Sequence, residues 1–452
     1  MGAAAGKEGA RMKPRVWYGI LCLFWLIGNA GLEPARAGES APILNLQDCL
    51  EMTLNYSREM LAATEGIRQS EGLYVQERSA ALPRISFNSG LLRSRDKSMA
   101  MGPDMETETD IYQSGLTLKQ AVFTWGQVSA ALDAAALDKE ASEHRLRQAR
   151  ALALRETAIR FYDVLLSREL ERVASATVSQ KRRHLDETMR RNELGVATDY
   201  DVLAARVALA NAGVEKTRSE NTVRLAVDRL RYMIGHPGPF DVTGSLSARV
   251  EQPLSLEVLI EKALASRPEM AYAESQIHIY EKLKKVASAG DKPRIDFEAN
   301  LQWQSYGNAR FDYPGESWNA GLYLSFPFFD GLKTKGSLIQ ADSRIANARI
   351  EKDRLIDDIA LEARDAVNRI AEAIDILDAM QTTVEQAEKL LEMAEAGYRA
   401  GVKTRLEVDD AQLNLTSART SLARAKREYI AARIQMLWIA GDNLLQTLSP
   451  DA

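Results

Sequence analysis

Apolar and polar residues alternate strictly from 295 to 304. Ile295, Phe297, Ala299, Leu301 and Trp303 fall on one side, and Asp296, Glu298, Asn300, Gln302 and Gln304 on the other. A period of two is the mark of a strand with one apolar and one polar face. Its expected partner carries Trp318, Ala320, Leu322, Leu324 and Phe326 on a single face. A weaker version of the same pair runs through Ile85 and Phe87, then Tyr112, Leu116 and Leu118. Polar, turn-rich stretches at 96–109 and 306–316 join the strands of each pair. Most of the remaining pattern predicts helix. Gln127 to Leu194 has no Gly or Pro in 68 residues, and Ser337 to Ala396 has none in 60. Helices of that length span about 100 Å, deeper than an ordinary globular domain. Ala is frequent on them (Ala130, Ala131, Ala134, Ala135, Ala136), which permits close helix approach. A further helix opens each half, at 46–80 and 256–290. A return helix closes each half, and the shorter pair, stacked end to end, could pack along the long one.

The chain is duplicated. Leu44–Glu51 matches Leu254–Glu261 at an offset of 210, and with Leu54, Glu59 and Met60 against Leu264, Glu269 and Met270 this gives six identities in 17 positions. Pro83-Arg84-Ile85-x-Phe87 meets Pro293-Arg294-Ile295-x-Phe297 at the same offset. Later the offset is 206, pairing Gly115-Leu116-x-Leu118 with Gly321-Leu322-x-Leu324, and Gly195-Val196-x-Thr198 with Gly401-Val402-x-Thr404. The expected first repeat is 38–235, with strand pair 83–95/110–122, long helix 126–192 and return helix 199–234. A linker at 236–253 follows. The second repeat is 254–441, with strand pair 293–305/316–328, long helix 332–397 and return helix 405–440. A tail, 442–452, ends the chain.

Composition narrows the classes. The 452 residues are 46% hydrophobic with a mean hydropathy of -0.27, which leaves no room for the repeated apolar runs of a helical membrane protein. A formal charge of -5 argues against a nucleic-acid partner. Two cysteines make neither a disulfide scaffold nor a Cys-based zinc module. The N-terminus reads as a secretory signal over 1–37. Lys7, Arg11, Lys13 and Arg15 precede the short apolar core Val16–Ile27, and Ala35-Arg36-Ala37 fits a cleavage site. His144, His184, His236 and His278 are scattered, and no Ser-His-Asp set or phosphate loop stands out. The expectation is therefore no enzyme, no metal site and no cofactor.

Four strands are too few to close a barrel in lipid, where an open edge has nothing to bond. Three chains would supply twelve. Apolar alternates would then face lipid and polar alternates a watery lumen, with Trp303, Tyr306 and Trp318 in an aromatic belt. The competing reading is a soluble antiparallel sandwich.

The duplication, the strand pairs, the Phe123-Thr-Trp-Gly126 and Phe329-Asp-Gly331 turns into long helices, and the Gly-Val-x-Thr turns resemble the TolC family of outer-membrane efflux proteins. The resemblance covers about 40–445 of the chain. It implies a mainly α fold with a small β-barrel part: a homotrimer with a 12-strand outer-membrane barrel, continued by an α-helical coiled-coil tunnel in the periplasm. It also implies a passive duct for efflux or type I secretion, docked to a periplasmic adaptor and an inner-membrane pump. Drugs, metal ions, peptides and proteins all remain open as cargo. A periplasmic adaptor and a coiled-coil scaffold are the alternatives.

Gly195 and Gly401 read as residues that end helices. Thr404-Arg-Leu-Glu407 fits a capping box, and Thr198-Asp-Tyr-Asp201 is a looser one. By resemblance, Gly195, Val196, Thr198, Gly401, Val402 and Thr404 would contact the adaptor. Tyr398 and Lys403 fall on gate positions, Lys403 where Arg is usual, so that a bidentate bond is given up. Glu407 and Asp410 fall on two acidic ring positions, and Asp201 matches a gate partner. Asp201 and Glu407 also have a capping role, and Asp410 also reads as a solvated charge beside Asp409.

Overall fold

A computed structural model describes residues 42–96, 107–247, 250–307 and 313–448. The expected signal, 1–37, lies outside the described residues, as do much of the stretch at 96–109, part of that at 306–316 and the end of the tail.

Strands β2 (Arg84–Asp96), β3 (Thr107–Phe123), β5 (Arg294–Gly307) and β6 (Tyr313–Ser325) form one antiparallel sheet in the order β2-β3-β5-β6. Register follows the pleat. Phe87, Leu116, Leu301 and Trp318 make one cross-strand row, and Ile85, Leu118, Ala299 and Ala320 the next. On the opposite face Asn300 Nδ2 donates to Asn319 Oδ1 at 3.0 Å, and Lys119 pairs with Glu298 at 2.9 Å. The first pair gave the weaker sequence signal because Ser89 and Ser114, directly opposed, interrupt its apolar row. A bulge between Ala121 and Phe123 turns Phe123 onto the row of Ile295. Much of the apolar face is bare, although Leu118, Phe297, Ala299 and Leu301 are half-buried. Phe87, Ile85, Leu322 and Leu324 are exposed, and Trp318 is 76% exposed.

Long helices leave the sheet. Trp125 and Gly126 (φ 51° and 77°) turn β3 into α3 (Gln127–Glu193), and Gly331 and Leu332 (φ 67° and 68°) turn β6 into α7 (Lys333–Arg399). The helices return as α4 (Asp199–Ile234) and α8 (Arg405–Ile439). The α7/α8 hairpin has a continuous seam. On α7, Ile359, Ala363, Ala366, Ile370, Ala373, Leu377, Met380, Val384, Ala387, Leu391 and Ala394 alternate at steps of four and three. On α8, Val408, Ala411, Leu415, Ala418, Leu422, Ala425 and Tyr429 do the same, and these rows pack together. That mean step of 3.5 residues imposes a left-handed coiled coil. The corresponding row on α4 holds Lys216 and Ser219 between Ala212 and Val223, so the α3/α4 seam is less apolar there.

The expected opening helices at 46–80 and 256–290 are each two helices. In the first half, α1 (Leu46–Tyr56) and α2 (Arg58–Arg78) meet at Ser57, whose extended backbone lets its Oγ accept the Met60 N–H at 3.2 Å. In the second, α5 (Leu256–Ser266) and α6 (Pro268–Ser288) meet at Arg267, which precedes a proline and so leaves the helical region. The expected linker 236–253 contains a strand, β4 (Asp241–Val242), paired in parallel with β1 (Ile43–Leu44), and a short helix, α9 (Leu444–Thr447), lies in the tail.

These breaks pack against the ends of the return helices. Gly235, after α4, lies so close to Tyr56 that a Cβ would sit 2.7 Å from its carbonyl oxygen, and a Cβ on Gly441, after α8, would collide with Ser266. Each junction has its own core. Leu44, Cys49, Phe161, Val164, Leu230 and Ile234 form one, and Leu50, Leu259, Ile359, Tyr429, Ile434 and Ile439 belong to the other. Burial pushes the Cys49 thiol up to about 12, with Asp48 adding to the effect, so it is an inert packing group. Among the described residues no helix is long and apolar enough to cross a membrane.

Candidate functional site at the hairpin tips

Both hairpins turn on the same backbone. Gly195 and Gly401 adopt φ of 72° and 75°, where a side chain would be strained. The N–H groups of Val196 and Ala197 donate to the Arg191 carbonyl, and those of Val402 and Lys403 to the Gly397 carbonyl. These bonds satisfy carbonyls that the ending helix leaves free. Each return helix then starts in a full capping box. The Asp201 N–H donates to Thr198 Oγ1 at 3.2 Å while the Thr198 N–H donates to Asp201 Oδ2 at 2.8 Å. Thr404 and Glu407 repeat the exchange at 3.3 and 2.8 Å. The looser first box is thus complete; an Asp reaches as well as a Glu.

Side chains separate the two tips. Around the first, Leu194, Val196, Tyr200 and Leu203 are exposed. The second keeps Val402 and Leu406 exposed but adds charge. Lys403 Nζ donates to Glu407 Oε1 at 2.5 Å, and Gly397 makes room for the Lys403 stem, which a Cβ at 397 would strike. The Lys403 bond, with the Thr404 N–H, holds the Glu407 carboxyl down at about 2. Asp410 is exposed and has no hydrogen bond or ion pair among the described residues. The Thr198 backbone and hydroxyl, and then Arg191, hold Asp201 below the usual carboxylate range.

Tyr398 is half-buried, one step beyond Ala394 on the α7 seam, packed with Val408 and Ala411. Its hydroxyl accepts a hydrogen bond from Arg191 Nη1, not from any group of Asp201, whose bonds go to Thr198. The Arg191 and Arg405 guanidinium carbons lie 5.9 and 5.8 Å from its ring centroid. Arg405 donates to Asp409 at 3.2 Å, and so does Lys181 of α3. Burial alone would raise the Asp409 carboxyl, but Arg405 and Lys181 outweigh it and hold it low.

The sequence does not single out Arg191 or Arg405, and the run Lys181-Arg-Arg-His184 reads as a solvated helix face, whereas Lys181 is largely buried against Asp409. One signal was available. At the offset of 206, Arg191 stands opposite Gly397 and Asp199 opposite Arg405, so the two turns share a backbone but not a charge pattern.

Comparison with known proteins gives a consistent family. The sequence profile described as outer membrane efflux protein matches residues 49–236 and 259–442. The alkaline protease secretion protein AprF of Pseudomonas aeruginosa is 24% identical over 426 residues, covering 92% of this chain and 88% of that protein. The outer membrane protein TolC of Vibrio cholerae is 24% identical over 373 residues, covering 79% and 82%. Among solved structures, the Campylobacter jejuni CmeC outer membrane channel superposes with a TM-score of 0.75 at 15% identity, covering 92% of this chain and 93% of that one. A membrane protein from Pseudomonas aeruginosa superposes with a TM-score of 0.76 at 20% identity, covering 89% and 91%. At those identities the superpositions establish the fold.

Proposed function

The chain belongs to the outer membrane efflux protein family, and we propose that it is the exit duct of a tripartite efflux or type I secretion system. It is an outer-membrane channel; the finer reading concerns how it assembles and what it meets. The observation that carries this reading is the four-stranded sheet. One face is largely apolar, with Ile85, Phe87, Leu91, Trp318, Leu322 and Leu324 exposed, the other is largely polar, and β2 and β6 are left with free edges among the described residues. Lipid on the apolar face and two further copies at the edges would satisfy all three features in a 12-strand barrel. The helices point the same way. Leu203, Val207, Val214 and Leu225 on α4, and Ile339, Ile350, Leu361 and Ile376 on α7, are exposed in a single chain. Rows of this kind on the two outer helices suit the closing of a ring.

In that ring the two hairpins of 38–235 and 254–441, read as structural repeats, meet at one narrow end. Gly195, Val196, Thr198, Gly401, Val402 and Thr404 would meet a periplasmic adaptor coupled to an inner-membrane pump. Tyr398, Lys403 and Asp201 would belong to the gate. Glu407 and Asp410 from three chains would place six carboxylates near one constriction, favouring cations. Asp410 is the stronger member, because Glu407 is already engaged by Lys403 and Thr404.

Fractionation and planar bilayers test the reading. A heat-modifiable trimer in the outer membrane, conducting and cation-selective, is expected. A soluble monomer would overturn it. Unchanged selectivity in Glu407→Ala/Asp410→Ala would remove the ring alone.

A further inference from the structure

We infer that each chain meets the next through a rebuilt version of its own internal interface, in a fixed strand register and with the charge pairs replaced by apolar contacts. The inference rests on the three-chain reading above and names which residues of a second copy the exposed positions meet.

The two halves match residue for residue. Phe87 opposite Leu116 in the first strand pair is repeated by Phe297 opposite Leu322 in the second, at the offsets of 210 and 206. α2 and α6 keep the first offset, while α3 with α7 and α4 with α8 keep the second. Inside the chain the first half meets the second through β3 against β5, α3 against α6 and α3 against α8. The same contacts carried on by one half-chain bring β6 and α7 against a β2, an α2 and an α4. Those are the outer elements of a single chain, with the free strand edges and the exposed rows on α4 and α7. A second copy offers them in the right order, and a head-to-tail contact of this kind closes a ring.

In the sheet the repeat fixes the register. Leu116 pairs with Leu301 within the chain, so Leu322 meets Leu91 of the next copy. Thr117 pairs with Asn300, so Tyr323 meets Gly90 of the next copy. Both pairs are complementary. Two exposed leucines cover each other on the apolar face, and on the polar face an exposed tyrosine lies over a residue with no side chain. A slip of one residue would turn a leucine to the polar face. A slip of two would set Leu322 on Ser89 or Arg93.

In the helices the repeat keeps the positions and changes the chemistry. Lys282 of α6 pairs with Asp133 of α3 at 2.7 Å, and their counterparts are Gly72 and Ile339. Ile339 is exposed and Gly72 has open space where a Cβ would stand, so the isoleucine has a gap to enter. The Arg155 guanidinium of α3 lies 4.5 Å from the Trp438 ring of α8, and the counterparts are Leu361 and Tyr232, both exposed. Arg427 pairs with Asp163 at 2.7 Å, where the outer positions hold Asn221 and Arg369. Lys119 with Glu298 becomes Ser325 with Asn88. None of these charge pairs is kept between chains.

The change also separates the two contacts. If α7 of one chain took the place of α3 in another, Arg369 would face Arg427, and Ile339 would leave Lys282 without its acid. Charge therefore keeps the halves of one chain together, apolar contact joins the chains, and exchange of halves is penalised. An interface more apolar than the internal one suits a permanent assembly.

Cysteine cross-linking of the full-length protein in membranes is the test, since Cys49 is buried and does not compete. Leu322→Cys/Leu91→Cys and Leu361→Cys/Tyr232→Cys are each expected to give covalent dimers and trimers on a non-reducing gel after oxidation. Leu322→Cys/Ser89→Cys, two residues out of register, should cross-link several-fold less. A trimer in which either expected pair fails, or in which the shifted pair does as well, overturns the register. Leu361→Glu should lower the trimer fraction several-fold, and added salt should leave the wild-type trimer intact. A trimer that salt dissociates, or that Leu361→Glu leaves unchanged, overturns the apolar contact. A wild type that stays monomeric overturns the three-chain reading itself, and is recognised before any cysteine is introduced.

Discussion

The two hairpin tips share a backbone, a Gly-Val-x-Thr turn and an acidic cap, and differ in the charges placed around them. Each has a left-handed glycine, two N–H bonds to one carbonyl and a Thr capping box. Yet Arg191 faces Gly397 across the repeat, Ala197 faces Lys403, Asp199 faces Arg405, and Leu203 and Ala204 face Asp409 and Asp410. Turn geometry is therefore a scaffold that tolerates opposite surfaces. The first tip exposes Leu194, Val196, Tyr200 and Leu203 beside Glu193, Asp199 and Asp201, and the second gathers Lys403 with Glu407 and Arg405 with Asp409. Packing deepens the contrast. The second tip stands on an unbroken apolar seam, whereas the first stands on a seam interrupted by Lys216 and Ser219.

The strongest challenge to this division is a charge placed on the first tip. Val196→Asp should cut adaptor co-purification by about thirtyfold, the scale of a hot-spot loss, with the trimer still folded. Leu406→Asp at the second tip should do less, and equal losses would erase the distinction. At the other end of the hairpins the halves differ again. Arg58 lies 5.7 Å from an exposed Tyr232 ring, while Arg267 is buried against Trp438 at 4.6 Å and bonded to Glu269 and Glu362. Arg267→Ala should cost about 3 kcal/mol, the scale for breaking a buried pair. Arg58→Ala should stay within about 0.5 kcal/mol. Chemical denaturation measures both.

The shared scaffold makes its own prediction. Gly195→Ala and Gly401→Ala should each cost about 1–2 kcal/mol from backbone strain alone, since no atom lies within 4 Å of either added Cβ. A large difference between them would show that the turns are not equivalent. The smallest effect is a pH dependence. Glu407 titrates at about 2, below its ordinary 4.5, so its contribution is fully present above 4.5 and is lost as pH falls through about 2. The melting-temperature gap between wild type and Glu407→Gln should therefore be constant from pH 7 to 5 and close in stronger acid.

Much of the fold is legible in local pattern because local physics decides it. Strict alternation marked β5 and its partner β6, and the absence of Gly and Pro marked α3 and the body of α7, which nevertheless runs on through Gly336 and Gly397 at its two ends. The breaks at Ser57 and Arg267 were less visible, since a serine or an arginine before proline competes with a helical apolar pattern that continues on both sides. The pairing of β1 with β4 was invisible, as two-residue strands have no period. The tips divide in the same way. Glycines and capping threonines announce a turn from a few residues, but the bond from Arg191 to Tyr398 joins positions 207 apart and exists only once two hairpins have been laid side by side.

The open edges of β2 and β6 also set an order of events. A single newly exported chain can zip each helical hairpin on its own, because those seams are internal. Its sheet cannot be finished alone, so in a trimer completion of the barrel depends on the local concentration of identical chains. The helices would then be an early, first-order product and the membrane part a late, collective one, arriving only where enough copies gather beside lipid.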